Sequence, residues 1–372
     1  MTIFTPLPSR EGTFQLREVR SRIGRALFQQ PFIMTPIVFD EKSAIEELKN
    51  GATLHHKVYT RNYHPMLPLY FAPLQGFTED TYRRIHHELI GGVAAYYTPF
   101  LRMEHKGIRT KDARDVRPEF NVGVPIVPQV IAKDGAEFSF LVNYLSDLGY
   151  REIDINMGCP FPLQTRHGRG AGLLQHPECV KEIAEMIRQR QDLTFSIKMR
   201  LGQTDATESY NLLPILNDTP LKHITLHPRL GIQQYNGETN LNAFQQFAEQ
   251  CKHPLIYNGD LRTPAAIHAI TTRFPQLAGI MIGRGLLARP SLAREYSDGT
   301  EWQRPERLAL IKKMHEHYHA HLSTIIPSEA QLLTKVRTFW EYLEEECGRK
   351  AWKKIMKAGS MRNYLNAINE LH

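Results

Sequence analysis

The amino-acid sequence predicts a (β/α)₈ barrel followed by a small helical domain. Between Leu67 and Gly285 there are eight short apolar runs, and most of them are followed by a helical pattern. Strands that alternate with helices indicate a parallel sheet. Eight such units fit a closed barrel better than an open, doubly wound sheet, and no G-x-G-x-x-G motif follows the first run.

The apolar runs give the positions of the strands. The predicted strands occupy 67–74, 94–101, 124–132, 150–157, 195–201, 222–227, 254–258 and 278–283. Apolar residues at three- and four-residue spacing predict helices, most clearly over 177–190 and 263–274. The polar stretch 102–123 is the weakest unit, and no full helix is expected there.

Three segments follow from these patterns. Residues 66–300 are the expected barrel, and 301–372 are expected to form several helices with breaks near Pro327, Gly348 and Gly359. Residues 1–65 form an N-terminal extension with no assigned role. The run that begins at Met66 would itself make a natural start for the barrel, so the extension is either a real appendage or the product of an upstream start codon.

Composition excludes several classes of protein. Hydrophobic residues make up 42% of the chain and charged residues 23%, as in ordinary globular proteins. No run of about 18 apolar residues is present, which argues against a membrane span, and the N-terminus lacks a signal-peptide pattern. The four cysteines form no C-x-x-C pair, which argues against zinc or disulfides. We therefore expect a cytoplasmic monomer without a metal.

The basic charge is concentrated at the two ends of the chain. The net charge is +7, and residues 349–362 contain six basic side chains and no acidic one. A basic segment beside a nearly neutral body suits a polyanionic partner such as RNA. A solvated helix face explains the same pattern, and charge alone leaves both interpretations open.

Polar residues at the end of the fourth predicted strand suggest a catalytic site. Strand alternation places Asp154 and Asn156 on one face, and Cys159 follows in the loop that opens over the barrel mouth. A lone cysteine is more often a small buried hydrophobe than a catalyst. Flanking Gly158 and Pro160, together with the glycine-rich run at 167–174, favour a functional role.

The fifth and sixth strands each end in a pair of basic side chains. Lys198 and Arg200 are two residues apart and point to the same side, as do His227 and Arg229. Buried charges need either internal carboxylates or an anionic ligand. Such a set suits an electron-rich group such as a reduced flavin, and a structural salt-bridge network is the alternative.

Glycines at the ends of the last two strands suggest a phosphate site. Asn258, Gly259 and Asp260 end the seventh strand, and Gly283 and Arg284 end the eighth. Barrels often bind phosphate in the loops after these two strands. Ordinary turns are the alternative explanation for each tripeptide.

Taken in order, these motifs resemble the dihydrouridine synthases, flavoenzymes that reduce uridines in RNA. The similarity spans about 66–300, and the basic helical tail corresponds to that family's RNA-binding domain. Two positions depart from the family pattern, Leu74 in the first strand and Leu230 after the sixth. The matching strings are FAPLQGFTED (71–80), PQV (128–130), IDINMGCP (153–160), GRGAGLL (168–174), IKMRLG (197–202), ITLHPRLGIQQYNG (224–237), YNGD (257–260) and MIGRGLL (281–287).

The resemblance implies FMN as cofactor and NADPH or NADH as reductant. It implies that hydride passes to C6 of a uracil extruded from the RNA and that Cys159 protonates C5 as general acid. An ordinary free thiol is mostly protonated at neutral pH, which agrees with a donor role. The resemblance places FMN against Pro73, Leu74, Gln75, Gln129, Lys198, His227, Asn258, Gly259, Asp260, Gly283 and Arg284.

The implied RNA partner is tRNA or another structured RNA. Asn156 and Arg200 are the expected contacts to the target uracil. Lys350, Lys353 and Lys354 are the expected contacts to the RNA backbone. Two other functions remain: an FMN barrel that reduces a free small molecule of the dihydroorotate or dihydropyrimidine type, and a non-catalytic RNA-binding protein. Replacing Cys159 by alanine separates an enzyme from a binding protein.

Overall fold

The computed structural model describes residues 66–104 and 107–372. The predicted N-terminal extension lies outside the described residues. Within these residues, eleven strand segments form one curled sheet, and each of the eight predicted runs overlaps at least one of them. The segments are β1 Leu69–Phe71, β2 Ala95–Tyr97, β3 Leu101–Glu104, β4 Gly107–Ile108, β5 Ile126–Val127, β6 Gln129–Ile131, β7 Glu152–Met157, β8 Thr194–Gly202, β9 Leu221–Leu230, β10 Leu255–Asn258 and β11 Gly279–Ile282.

The sheet closes on itself through two neighbouring barrel strands that are each interrupted once. Residues 98–100 separate β2 from β3, and Pro128 separates β5 from β6. β2 pairs with β5 and β3 pairs with β6, so the interrupted strands run side by side. Proline has no N–H to give to a ladder. The Pro128 carbonyl still accepts from Asp154 N (2.9 Å), and the Thr98 hydroxyl accepts from Gln129 N (3.1 Å).

All barrel pairings are parallel, and β11 pairs with β1. The antiparallel partner is β4, which forms a short hairpin with β3. The predicted (β/α)₈ barrel is therefore confirmed. The stretch at 102–123 contains this hairpin, a six-residue helix and a 3₁₀ turn, in agreement with the prediction that it holds no full helix.

Helices surround the barrel because their apolar faces cover the outward side chains of the strands. Ile153 and Ile155 of β7 are fully buried in this outer layer, and Asp154 between them points inward. The helices are α1 Asp80–Leu89, α2 Thr110–Asp115, α3 Gly135–Asp147, α4 Pro162–Thr165, α5 Pro177–Gln189, α6 Thr207–Asn217, α7 Leu241–Gln250, α8 Pro264–Arg273, α9 Arg284–Ala288 and α10 Leu292–Asp298.

The C-terminal region is helical, as predicted, and its breaks fall at Pro327, Gly348 and Gly359. Its helices are α11 Arg304–Ile325, α12 Glu329–Arg337, α13 Glu344–Cys347, α14 Arg349–Met356 and α15 Met361–Asn369. Trp340 is fully buried in this region, and its indole N–H donates to Tyr364 Oη (2.8 Å). The exact division into domains at residue 300 stays a prediction.

The C-terminal helices pack against the barrel through aromatic rings. The Tyr82 ring of α1 lies 6.5 Å from Tyr318 of α11 and 6.0 Å from Phe339, measured between centroids. The Tyr342 ring lies 5.1 Å from Phe77, in the loop after β1. This packing places the C-terminal region beside the end of the barrel where β1 terminates. Within the described part of the chain, no helix is both long and apolar enough to cross a membrane.

Candidate active site

The loop that carries Cys159 is held in one conformation by hydrogen bonds. We define the Cys159 loop as residues 158–161, which end where α4 begins. The Asn156 side-chain oxygen accepts from the backbone N–H groups of Gly158 (3.1 Å) and Cys159 (2.8 Å). Arg200 Nε donates to the Gly158 carbonyl (2.9 Å), and the Cys159 carbonyl accepts from Ala171 N (3.0 Å). Cys159 is therefore fixed at the carboxyl end of β7.

The glycine-rich segment after this loop packs directly against it. Gly170 has φ = +60°, a conformation that favours glycine. A Cβ at this position would lie 2.6 Å from the Cys159 carbonyl oxygen and 2.9 Å from its Cβ. The glycine therefore permits the close approach that supports the Cys159 loop. The glycine-rich run that the sequence analysis singled out therefore serves to pack this segment against the Cys159 loop.

A chain of buried hydrogen bonds joins β6, β7 and β8 inside the barrel. Asn156 Nδ2 donates to Gln129 Oε1 (2.7 Å), and Gln129 Nε2 donates to Asp154 Oδ2 (2.6 Å). Ser196 Oγ donates to the other Asp154 oxygen (2.6 Å). Burial raises the pKa of Asp154 to about 7, although these donors favour the ionised form. The network fixes which way each amide points.

Lys198 and Arg200 share the interior side of β8, as predicted. Among the described residues, the Lys198 ammonium has neither a hydrogen-bond nor an ion-pair partner. Burial, with help from the Arg200 charge, lowers the pKa of Lys198 to about 8. Arg200 Nη1 donates to the Leu230 carbonyl (2.8 Å), so Arg200 ties the β9 end to the Cys159 loop. Burial also raises the pKa of the Cys159 thiol, which is therefore protonated at neutral pH.

His227 is neutral in this cationic surrounding. Burial and the charges of Arg200, Lys198, Arg229 and Arg284 hold its pKa well below the ordinary value. Its Nε2 lies 3.2 Å from Arg229 Nη1. Because a guanidinium can only donate, Nε2 is the acceptor and Nδ1 carries the proton. His227 can therefore offer one N–H to a ligand.

The ends of β10 and β11 meet at Asp260. Asp260 adopts φ = +45°, and its carboxylate accepts from both terminal nitrogens of Arg229 and from Arg284 Nη2 (3.0 Å). Asn258 Nδ2 donates to the Met281 carbonyl (2.7 Å), which joins the two strand ends. Gly283 precedes α9, and a Cβ there would lie 3.2 Å from Leu74. These residues lie together, as the sequence predicted.

The loop after β1 completes this end of the barrel. Leu74 N donates to the Thr78 hydroxyl (2.9 Å), which turns the chain back toward α1. Gln75 is exposed, and its Nε2 contacts Asp112 Oδ1 at 3.4 Å. Pro73 and Leu74 are half-buried, and Leu74 lies beside Gly283.

The sequence did not single out Tyr235, which lies over two cationic site residues. Its ring centroid is 4.2 Å from the Arg284 guanidinium carbon and 5.5 Å from that of Arg200. Tyr235 is half-exposed in the loop between β9 and α7. Loop residues have no periodicity that reports their position. The sequence feature that could have identified Tyr235 is its position in the string GIQQYNG (231–237), which is part of the family resemblance.

The three predicted RNA-binding lysines lie on α14, away from the barrel strands. Lys350, Lys353 and Lys354 are all exposed. Lys354 Nζ donates to Glu370 (2.7 Å), whereas Lys350 and Lys353 have no acidic partner among the described residues. The structure therefore separates a candidate reaction centre at the strand ends from a basic surface on the C-terminal helices. No cluster in the described ranges has three side chains suited to hold a metal ion.

The chain is similar in sequence to bacterial proteins named as tRNA-dihydrouridine synthases. A "tRNA-dihydrouridine(16) synthase" of Pseudomonas syringae pv. tomato is 27% identical over 73% of this chain and 81% of its own. A "tRNA-dihydrouridine synthase B" of Escherichia coli is 25% identical over 77% of this chain and 90% of its own. Among solved structures, morphinone reductase in complex with tetrahydroNAD has a TM-score of 0.46 at 9% identity, covering 63% of this chain and 87% of that chain.

The match to a protein-family model shows to which family the chain belongs. The model described as "Dihydrouridine synthase (Dus)" matches residues 70–370, which include the barrel, the Cys159 loop and the C-terminal helices. The match covers far more than half of the chain. The chain belongs to the dihydrouridine synthase family.

Proposed function

We propose that this protein is an FMN-dependent synthase that uses NADPH or NADH to reduce uridines in tRNA to dihydrouridine. One observation carries the proposal. The Cys159 thiol, which burial keeps protonated, lies at the carboxyl ends of the barrel strands in a loop that is hydrogen-bonded to Arg200. Arg200 is two residues from Lys198, a cation that has no hydrogen-bond or ion-pair partner among the described residues. A proton donor beside a fixed positive charge suits hydride addition followed by protonation.

The residues present fit an anionic, phosphate-bearing cofactor such as FMN. Lys198 is a half-buried cation that forms no ion pair among the described residues, and burial of an uncompensated charge is costly. Gly259 and Gly283 sit where any Cβ would crowd its neighbours, at 2.8 Å from Thr239 and 3.2 Å from Leu74. We assign the ring to Gln129, Lys198 and His227 and the loop after β1. The phosphate is assigned to Asn258, Gly259, Asp260, Gly283 and Arg284.

The Asp260 carboxylate does not oppose a phosphate at this position. It is neutralised by Arg229 and shares Arg284 with the expected ligand. Arg284 is thereby oriented, and its remaining N–H groups are available to an anion. The pairing also anchors Asp260 in its left-handed conformation. Asp260 therefore acts as the residue that positions both guanidinium groups.

FMN held by these residues would supply, once reduced, a hydride for C6 of the uracil ring. Cys159 then delivers its proton to C5, which completes the addition of two hydrogens across the C5=C6 bond. The cation of Lys198 stabilises negative charge on the neighbouring ring system, and neutral His227 contributes an N–H rather than a second charge. The buried network through Asn156 keeps the thiol donor in place.

Three residues are available to hold the target uracil. Asn156 keeps one amide N–H after its bond to Gln129, and Arg200 keeps Nη2 after its two carbonyl contacts. Both groups can donate to uracil carbonyl oxygens, as expected from the sequence. Tyr235 joins them because its ring is held over Arg200 and Arg284 at the mouth.

Exposed Lys350, Lys353 and Lys354 supply sequence-independent contacts to the tRNA backbone. The cytoplasmic location and monomeric state stay predictions.

The test uses the purified protein and tRNA from cells that lack the gene. The visible spectrum is recorded for flavin, NADPH or NADH is added, and dihydrouridine in the tRNA is measured by mass spectrometry. A flavin spectrum together with new dihydrouridine is the expected result. A flavoprotein that oxidises NADPH and leaves every uridine unchanged would point to a small-molecule reductase instead. No flavin after reconstitution would overturn the cofactor assignment.

A further inference from the structure

Two large apolar side chains are exposed immediately after Cys159. Phe161 is 55% exposed and Leu163 is 60% exposed. Single exposed apolar residues are common on protein surfaces and need no explanation. Here two of them lie close together in sequence, Phe161 in the loop that carries the proposed proton donor and Leu163 in the first turn of α4. Their shared position indicates a function.

The exposure does not come from a loosely held loop. The Phe161 carbonyl accepts from Gln164 N (2.8 Å) and Thr165 N (3.1 Å), which starts α4. Behind α4, a Cβ at Gly172 would lie 2.5 Å from the Thr165 carbonyl oxygen, so the glycine-rich segment supports the helix closely. Phe161 is thus presented by rigid backbone. A rigid aromatic side chain offers contact area at a low cost in conformational entropy.

The surroundings favour a nucleic-acid base as the occupant. Arg200 Nε donates to the Gly158 carbonyl at 2.9 Å, so a guanidinium group lies directly against the loop. An apolar side chain beside basic groups matches a nucleotide, which joins an anionic backbone to a flat apolar ring. The target uridine must leave its stack to reach the barrel interior. Its neighbour in the RNA chain then lacks a stacking partner on one face.

We infer that Phe161 stacks on the base adjacent to the target uridine and that Leu163 contacts the same nucleotide. This inference rests on the proposed function. Phe161 is two residues from Cys159, so their Cα atoms are at most about 7 Å apart. When the target lies against Cys159, its backbone connection holds the next nucleotide of the RNA chain within reach of Phe161. Phe161 and Leu163 thus select and hold the unstacked neighbour, and the ring replaces the lost stacking.

The first experiment compares Phe161→Ala with Phe140→Ala, both in the FMN-loaded full chain. Phe140 lies on α3 in the outer helix layer and is 45% exposed, so it is a matched control. Stacking of one base on an aromatic ring predicts a roughly tenfold loss of tRNA affinity for Phe161→Ala. Phe161→Trp should restore it, and Phe140→Ala should bind tRNA and oxidise NADPH as the wild-type protein does. Equal affinity for Phe161→Ala and Phe140→Ala overturns the inference.

The second experiment locates the contact. Phe161→p-benzoylphenylalanine is irradiated with tRNA, and the linked nucleotide is mapped by mass spectrometry. We expect a crosslink to a neighbour of the uridine that the wild-type protein converts. A crosslink to a distant nucleotide, a crosslink to a second protein chain, or no crosslink overturns the inference. If wild-type protein forms no dihydrouridine, the proposed function fails instead, so the two failures are distinguishable.

Discussion

The Asn156 side-chain oxygen lies 2.8 Å from the backbone nitrogen of Cys159 and also accepts from Gly158 N. The opposite side of the same amide donates to Gln129. One side chain therefore connects the buried network of the barrel to the loop that carries the thiol. Asn156 acts here as a positioning residue in addition to its proposed contact with uracil.

Replacing Asn156 by alanine should slow dihydrouridine formation by about 10- to 100-fold. Loss of both loop hydrogen bonds lets the thiol move, and a displacement of about 1 Å can cost a factor of this size. The rate is measured in single turnovers of pre-reduced protein with saturating tRNA. The alkylation rate of the Cys159 thiol should rise, which reports loosening of the loop independently of activity.

The aspartate variant and a remote asparagine provide controls. Asn156→Asp keeps an acceptor for the loop N–H groups and loses the donor to Gln129, so its thiol reactivity should stay closer to wild type. Asn217→Ala removes comparable side-chain bonds to the Gln250 carbonyl (2.9 Å) and Lys252 N (2.8 Å), between α6 and α7. Unchanged turnover in Asn156→Ala, or an equal loss in Asn217→Ala, would contradict the positioning role.

Cys159→Ala should lower the single-turnover rate of dihydrouridine formation by about 10²- to 10⁴-fold, because a positioned general acid contributes a factor of this size. FMN content, the rate of NADPH oxidation and tRNA affinity should be retained. Cys251→Ala is the matched control, since Cys251 is partly buried and lies at the end of α7, outside the site. A Cys159→Ala variant with wild-type turnover would assign the proton donor to another group.

The pH dependence of flavin reduction should report Lys198. Burial lowers its pKa to about 8, so the side chain is cationic below that pH and loses its charge as the pH rises through it. The rate of flavin reduction by NADPH should therefore fall as the pH rises through about 8. Lys198→Arg should move this decline to higher pH because the guanidinium stays charged. Lys198→Met should be slower and lack the decline.

Stopped-flow absorbance of the flavin between pH 6 and pH 10 checks this prediction. Lys222→Met serves as the control because Lys222 lies at the opposite end of the barrel strands, paired with Glu152 (2.8 Å). Its profile should match that of the wild-type protein. A wild-type profile without a change near pH 8, or the same profile in Lys198→Met, would rule out the assigned role of Lys198.

The barrel and the strand-end residues could be predicted from the sequence because both follow from local rules. Because side chains alternate along a strand, Asp154 and Asn156 of β7 share one face, and so do Lys198 and Arg200 of β8. Because the barrel strands are parallel, their carboxyl ends lie together. The helix breaks could be predicted for a similar reason, because Pro and Gly act within a few residues.

Other features depend on contacts between residues distant in the sequence. The interruption at Pro128 is tolerated because the Thr98 hydroxyl accepts the neighbouring N–H. The place of Tyr235 depends on two guanidinium groups from β8 and α9. Such contacts arise only when the chain has folded, so neither propensity nor periodicity reports them.

The basic surface of α14 predicts a salt-dependent contribution to tRNA binding. Lys350 and Lys353 are exposed without an acidic partner among the described residues, so each is free to replace a counterion on a phosphate. The Lys350→Glu, Lys353→Glu double variant should weaken tRNA binding. It should also reduce the slope of log K against log salt by about 0.7 to 0.9 for each phosphate that a lysine no longer neutralises.

Variants of Lys354 and Lys252 show whether tRNA binding depends on specific contacts of α14 or only on the net charge of the protein. Lys354→Gln should weaken binding less than Lys353→Gln does, because Lys354 already pairs with Glu370 at 2.7 Å. Lys252→Glu, exposed near the amino end of β10, should leave both affinity and salt slope unchanged. The measurements are tRNA titrations at several salt concentrations. Equal losses of affinity in the Lys252 and Lys350–Lys353 variants would mean that net charge, and not the α14 surface, governs binding.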